Sequence, residues 1–178
     1  MADISTEIKN TIRNIPDFPQ PGIIFRDLTT LLEKPDIYLK IIDELAERAR
    51  PLAPDALVAL ESRGFWFGLS VAARLQIPFI PIRKEGKLPG ATIAQEYSLE
   101  YGNAKIEMHT DVLRPGWKVL LHDDLLATGG TAEAAGKLVT QQGASICGYS
   151  FLVELAVLEG RKKLLPYSHH IDVLTTYL

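Results

Sequence analysis

The run Val119-Leu120-Leu121-His122-Asp123-Asp124-Leu125-Leu126-Ala127-Thr128-Gly129-Gly130-Thr131 constrains the fold more than any other stretch of the chain. An apolar, β-rich run that ends in two acids and then Gly-Gly reads as a buried parallel strand entering a ligand loop. The Thr-Gly-Gly-Thr turn supplies closely spaced backbone N–H groups at the start of a helix expected over 131–142. Unpaired N–H groups and a partial positive charge of roughly half a unit meet at such a helix start, which favours a phosphate. Asp123 and Asp124 cannot ligate phosphate; they suit hydroxyl groups or a divalent cation. A phosphate held beside a vicinal diol describes a ribose 5-phosphate. Taken singly, Gly-Gly is equally a tight turn and Asp-Asp a solvated strand end, so the specificity lies in the joint arrangement.

The same grammar recurs along the chain. Ala56–Leu60 is an apolar run between Pro54-Asp55 and Glu61-Ser62-Arg63-Gly64, hence a buried strand, followed by a helix over Phe65–Leu75 and a strand over Pro78–Ile82. Trp117–His122, the helix 131–142, the strand Ala144–Leu155, a short helix near Glu159–Leu165 and a strand near Ile171–Thr175 complete the pattern. Strand-helix-strand alternation with short connections predicts an α/β fold with a mostly parallel sheet covered by helices. Ligands of such sheets bind beyond the carboxyl ends of the strands, so the loops after Leu60, Ile82 and His122 are expected to share one crevice. Before this repeat, Ile4 to Ile15 has the spacing of a short amphipathic helix, and two prolines and a glycine make Asp17–Gly22 irregular. Pro35 opens a helix running to about Arg50. Tyr97–Tyr101 and Lys105–His109 alternate around Gly102-Asn103 and predict a hairpin.

At 178 residues, with no repeat or linker, the chain reads as one domain, 1–178. Its net charge of −3 argues against nonspecific nucleic-acid binding, which needs a basic surface. No apolar run approaches the length of a membrane span, and the polar start lacks the apolar core of a signal peptide, so a cytoplasmic protein is expected. The single Cys147 excludes an internal disulfide and a cysteine metal cluster. The four histidines, 109, 122, 169 and 170, show no metal-ligand spacing with the carboxylates.

Three further segments carry chemistry. Arg63, in a loop built like the first, can grip a pyrophosphate through its planar donor fork or stand as an exposed loop arginine. Arg83, Lys84 and Lys87 are either a solvated face or a second anion contact. The polar stretch from Leu88 to Gly102 is either a plain surface hairpin or a lid that excludes water. Ile23-Ile24-Phe25 reads equally well as core.

The opening run resembles the phosphoribosyl pyrophosphate (PRPP) binding motif of the type I phosphoribosyltransferases, with His122 standing where that family usually has an apolar residue. Tyr97-Ser98-Leu99-Glu100-Tyr101-Gly102, Phe25-Arg26-Asp27 and Glu61-Ser62-Arg63-Gly64-Phe65 narrow the resemblance to the adenine-using branch, and it covers essentially the whole chain. It implies the type I fold, with a small hood over about 1–33 and a flexible catalytic loop and hairpin over about 84–109. It implies transfer of the phosphoribosyl group of PRPP to adenine, giving AMP and pyrophosphate in purine salvage.

The resemblance assigns roles residue by residue. Asp123 and Asp124 would hold the ribose hydroxyls, while Ala127, Thr128, Gly129, Gly130 and Thr131 would hold the 5-phosphate. Glu61, Ser62 and Arg63, through a cis Glu61–Ser62 peptide, would bind pyrophosphate together with Arg83, Lys84 and Lys87. Part of that basic contact comes from a neighbouring subunit in the family, which implies a homodimer. Glu100 would do acid–base work at the purine with Tyr101 closing the lid. The backbone of Ile24 and Arg26, with Phe25 and Leu126 packing on the base, would read adenine. Mg²⁺ would be carried by PRPP rather than by a dedicated protein site. The expected rivals are a transferase for another base and a PRPP-binding regulator.

Overall fold

Strands and helices alternate to build one seven-stranded sheet and a separate two-stranded one. The computed structural model describes residues 3–99 and 102–178. In chain order, α1 (Ile4–Thr11), β1 (Arg13–Pro16), β2 (Ile24–Asp27), α2 (Thr29–Leu32) and α3 (Pro35–Ala49) come first. They are followed by β3 (Ala56–Leu60), α4 (Gly64–Leu75), β4 (Phe79–Lys84) and the hairpin strands β5 (Thr92–Leu99) and β6 (Gly102–His109). The chain ends through β7 (Lys118–Leu126), α5 (Gly130–Gln141), β8 (Ser145–Leu155), α6 (Arg161–Leu164) and β9 (Ile171–Tyr177).

The large sheet runs β5-β6-β4-β3-β7-β8-β9. β4, β3, β7, β8 and β9 are mutually parallel, and β6 joins the β4 edge antiparallel through Arg83–Glu107 and Lys84–Ile106. Every residue of β3 is buried. Ala56, Val58 and Leu60 face a core shared with α5, while Leu57 and Ala59 face one shared with α1, α3 and α4. Two buried faces leave no room for polar alternation, which is why this strand is a continuous apolar run.

Three sequence expectations shift. The first helix stops at Thr11, and Ile15 instead pairs with Phe25 across β1 and β2. Pro16 drives the residue before it out of the helical region, and the Arg13 guanidinium clamps Asp27 at 2.6 and 3.0 Å across the same ribbon. The hairpin is longer than expected, and Gly102 and Asn103 are paired with Leu99 and Ser98 rather than forming its turn. Ala94, Gln95 and Glu96 blunt the alternation there, although Ile93 and Tyr97 pack on the core. Finally, β7 does not stop at His122. Pairing with β8 carries it through both acids to Leu126, which lies beside Glu154.

Candidate active site

Two glycines one helical turn apart decide where the first acidic pair meets its cation. A Cβ on Gly64 would stand 3.0 Å from Asp123 Oδ1, and one on Gly68 would stand 3.0 Å from the Ala59 side chain and 3.1 Å from His122. Their absence lets α4 lie directly on β3 and β7 and brings Arg63 to the end of β7. The Arg63 Nε is 3.0 Å from Asp124 Oδ2, but the approach lacks the angle of a hydrogen bond. Asp124 is only 2 % exposed, so Oδ2 is a buried acceptor with no donor among the described residues. Asp123 is partly exposed, and its Oδ1 accepts the Asp124 N–H at 2.9 Å.

Burial, and then the charge of its neighbour, raise the Asp123 carboxyl well above the ordinary carboxylate range. Burial also raises Asp124, with Arg63 pulling the other way. The two therefore titrate as a pair that keeps a proton to higher pH than isolated acids would. Beneath them, His122 is fully buried, with Nδ1 3.3 Å from the Ser150 hydroxyl. Burial lowers its pKa to about 4.

Past the acids the backbone turns through Gly129, at φ +77°, into α5. Leu126, Ala127, Thr128, Gly129, Gly130 and Thr131 line a hollow of about 70 Å³ at the start of that helix. A Cβ on Gly129 would stand 2.5 Å from the Gly160 carbonyl oxygen, so the turn is packed backbone against backbone.

Beside this hollow lies a cavity of about 300 Å³ lined by Glu61, Ser62, Arg63, Lys84, Tyr97, Asp123, Asp124 and Thr131. The loops after β3, β4 and β7 thus do share one crevice. The Glu61–Ser62 peptide is cis. Arg83 donates to Glu61 Oε2 at 2.8 Å and to the Lys87 carbonyl at 3.1 Å and does not line this cavity. The Lys87 side chain is exposed and does not line this cavity, and the Lys87 N–H donates to Glu107 at 2.9 Å.

Ile24, Phe25 and Arg26 lie on β2, outside the linings of both hollows. Ile24 is 51 % exposed, so this residue is not core. The Phe25 ring meets Phe18 edge-on at 5.2 Å, and the Arg26 guanidinium stacks 4.0 Å over the Tyr177 ring. Glu100 and Tyr101 fall outside the described residues. Among those residues, no group of three metal-ligating side chains converges.

Sequence reasoning missed several supports. Glu107 is buried in β6, accepts the N–H groups of Lys87 and Leu88, and is held below the usual carboxylate range chiefly by the Leu88 bond. A charged residue on the inward face of a hairpin strand is the signal that could have found it. Gly160 carries no local signal that could have found it, because it matters only where it packs on Ala127 and Gly129.

Residues 27–175 of the chain match the phosphoribosyl transferase domain family model. A relative from Cytophaga hutchinsonii, an adenine phosphoribosyltransferase, is 56 % identical over 96 % of this chain and 94 % of its own. The crystal structure of the adenine phosphoribosyltransferase of Thermoanaerobacter pseudethanolicus superposes with a TM-score of 0.92 at 45 % identity, covering 97 % of this chain and 99 % of that one. The Saccharomyces cerevisiae enzyme, complexed with an imino-altritol bisphosphate and adenine, gives 0.89 at 38 % identity over 96 % and 98 %. The chain belongs to the phosphoribosyltransferase family, in the branch of the adenine phosphoribosyltransferases.

Proposed function

We propose that this protein transfers the phosphoribosyl group of PRPP to adenine, releasing pyrophosphate and AMP, and that the crevice after β3, β4 and β7 is where it does so. The observation that carries the reading is Asp124 Oδ2, without a hydrogen-bond donor among the described residues, buried beside Arg63 and close to a backbone hollow at a helix start. A buried acceptor of this kind suits a ribose hydroxyl, and the hollow suits the 5-phosphate of the same sugar. Ala127 to Thr131 supply the phosphate donors in this reading, and Asp123 and Asp124 hold the hydroxyls and stabilise positive charge as the anomeric carbon loses its leaving group.

Glu61, Ser62 and Arg63, with Lys84, face the pyrophosphate. Arg83 contributes by holding Glu61, and Lys87 reaches the ligand after a rearrangement of its loop or from a second subunit of a homodimer. A nitrogen of the adenine imidazole forms the new bond to the anomeric carbon while the bond to the pyrophosphate oxygen breaks. Glu100 takes the proton that the nitrogen loses, and Tyr101 closes the lid over residues 84–109. The hood of residues 1–33 presents Ile24, Phe25 and Arg26 to the base, with Leu126 opposite.

No third metal-ligating side chain joins Asp123 and Asp124 among the described residues, so Mg²⁺ would travel with PRPP and neutralise its pyrophosphate. A cytoplasmic enzyme completes the reading, and no helix among the described residues is long and apolar enough to cross a membrane.

AMP formation from PRPP with adenine, hypoxanthine, guanine and xanthine tests the assignment. Adenine should be preferred, and the combined Asp123→Asn/Asp124→Asn variant should lose about 100-fold or more in rate. Wild-type rates in that variant, or equal use of hypoxanthine, would sink it.

A further inference from the structure

We propose that the Glu154–Arg161 ion pair is a positioning device for the phosphate hollow, acting through the backbone of Gly160. The inference rests on the phosphoribosyl reading of that hollow and assigns it a support outside the crevice.

Glu154 lies near the end of β8, directly beside Leu126 in the parallel register, and is only 6 % exposed. A carboxylate so buried is costly unless it is paired and hydrogen-bonded. Arg161, the first residue of α6, supplies both requirements. Its Nε donates to Oε1 at 2.7 Å and one Nη to Oε2 at 2.9 Å, and the other Nη donates to the Ile171 carbonyl at 2.9 Å. One planar side chain therefore ties the end of β8 and the first residue of β9 to the start of α6.

Gly160 directly precedes Arg161, and its backbone packs against Ala127 and Gly129, two of the residues that line the hollow. A Cβ there would overlap the Ala127 carbonyl oxygen and stand 2.9 Å from Leu126 Cδ1 and 3.0 Å from the Gly129 nitrogen. The reciprocal approach between the two glycines, a Cβ on Gly129 against the Gly160 oxygen, is closer still at 2.5 Å. Residues 156–160 carry no sheet pairing: a 3₁₀ turn over Ala156–Leu158 leads to Glu159 at φ +53°. Gly160 is thus placed by what grips the residue after it. Neither Glu154 nor Arg161 lines the two hollows of the site, so their effect on a ligand is indirect, through Gly160 and the neighbouring Leu126. The Glu61–Arg63 loop hangs from β3 and α4 and shares none of these contacts. Loosening the clamp should therefore weaken the sugar-phosphate end of the ligand and spare the pyrophosphate end.

Calorimetric titration of the intact protein with ribose 5-phosphate and, separately, with pyrophosphate reads the two ends independently. In Arg161→Gln, ribose 5-phosphate affinity should fall about tenfold while pyrophosphate affinity stays within about twofold. In turnover, KM for PRPP should rise, with KM for adenine unchanged. Arg161→Lys keeps the charge but loses the fork and should fall between, and it gives the same reading if Arg161→Gln does not fold. A merely structural loss would lower the active fraction and leave both affinities of the folded molecules intact. Equal weakening of both ligands, or of neither, overturns the proposal. A wild-type protein that binds neither ligand overturns the phosphoribosyl reading and this inference with it, whereas an intact wild type beside an indifferent variant overturns the inference alone.

Discussion

The loop after β7 and the loop after β3 face the same crevice with opposite materials. After β7 the surface offered is backbone, a glycine turn seated on Gly160 with its N–H groups fixed by the start of α5. After β3 it is side chains, and these are already engaged with one another: Arg63 with Asp124, and Glu61 with Arg83 and the Lys84 N–H. The first loop can receive an anion without moving. To hold pyrophosphate as proposed, the second would exchange internal partners for external ones and give up ion-pair energy as it gains the ligand. The difference teaches where precision and where adaptability reside in one site. In the proposed reaction, fixed dipoles would position the half of the molecule that is kept, and exchangeable charges would hold the half that leaves.

The sharpest way to break the contrast is Gly129→Ala. Its positive φ and the 2.5 Å approach to the Gly160 oxygen leave no place for a methyl group, so the turn must shift. We expect a loss of about 100-fold or more in kcat/KM for PRPP, because displacement near 1 Å at a positioning loop has that effect. A variant that keeps wild-type kinetics would show that the backbone surface is not fixed.

Arg63→Gln tests the side-chain half. Loss of a charge-assisted partner should weaken pyrophosphate about 30-fold, which salt concentration should also modulate in the wild type. Because Arg63 lowers the Asp124 pKa, its removal should move the acid limb of the pH–rate profile to higher pH. An acid limb that stays in place would detach Arg63 from the acid pair.

His122 gives the smallest kinetic effect but a clear stability signature. Its pKa is about 4 in the folded chain against an ordinary 6.5, so the unfolded chain binds the proton more readily. The stability this contributes is complete above pH 6.5 and is lost as pH falls towards 4, reaching about 3 kcal/mol at full protonation. Denaturant titrations across that window should show the loss in the wild type and a flatter profile in His122→Leu. Parallel profiles would assign the acid sensitivity elsewhere.

Most of the crevice could be read along the chain because it is written in consecutive residues. Ala56–Leu60 was recognisable as a strand because both its faces are buried, and Asp123–Thr131 because acids, turn and helix start adjoin. What escaped is what comes from far away in sequence. Gly160 matters only because it meets Gly129, and Glu154 only because Arg161 and Leu126 stand next to it. The end of α1 escaped for the same reason, since Ile15 answers to Phe25 rather than to its own helical neighbours. Arg83 shows the converse, a residue whose type is suggestive but whose fork is taken by Glu61.

The adjacency of β3 and β7 has one further consequence. Their register sets Ala59 beside His122, so β3 ends one residue past that rung while β7 runs on to Leu126, and the two loops leave adjacent strands at a fixed stagger. Strand spacing, about 4.8 Å, is among the least adjustable lengths in a protein. For the proposed ligand the sheet would act as a ruler: strand spacing and stagger set the span between the groups that meet its two anionic ends, so a molecule of another length would satisfy one loop at the expense of the other.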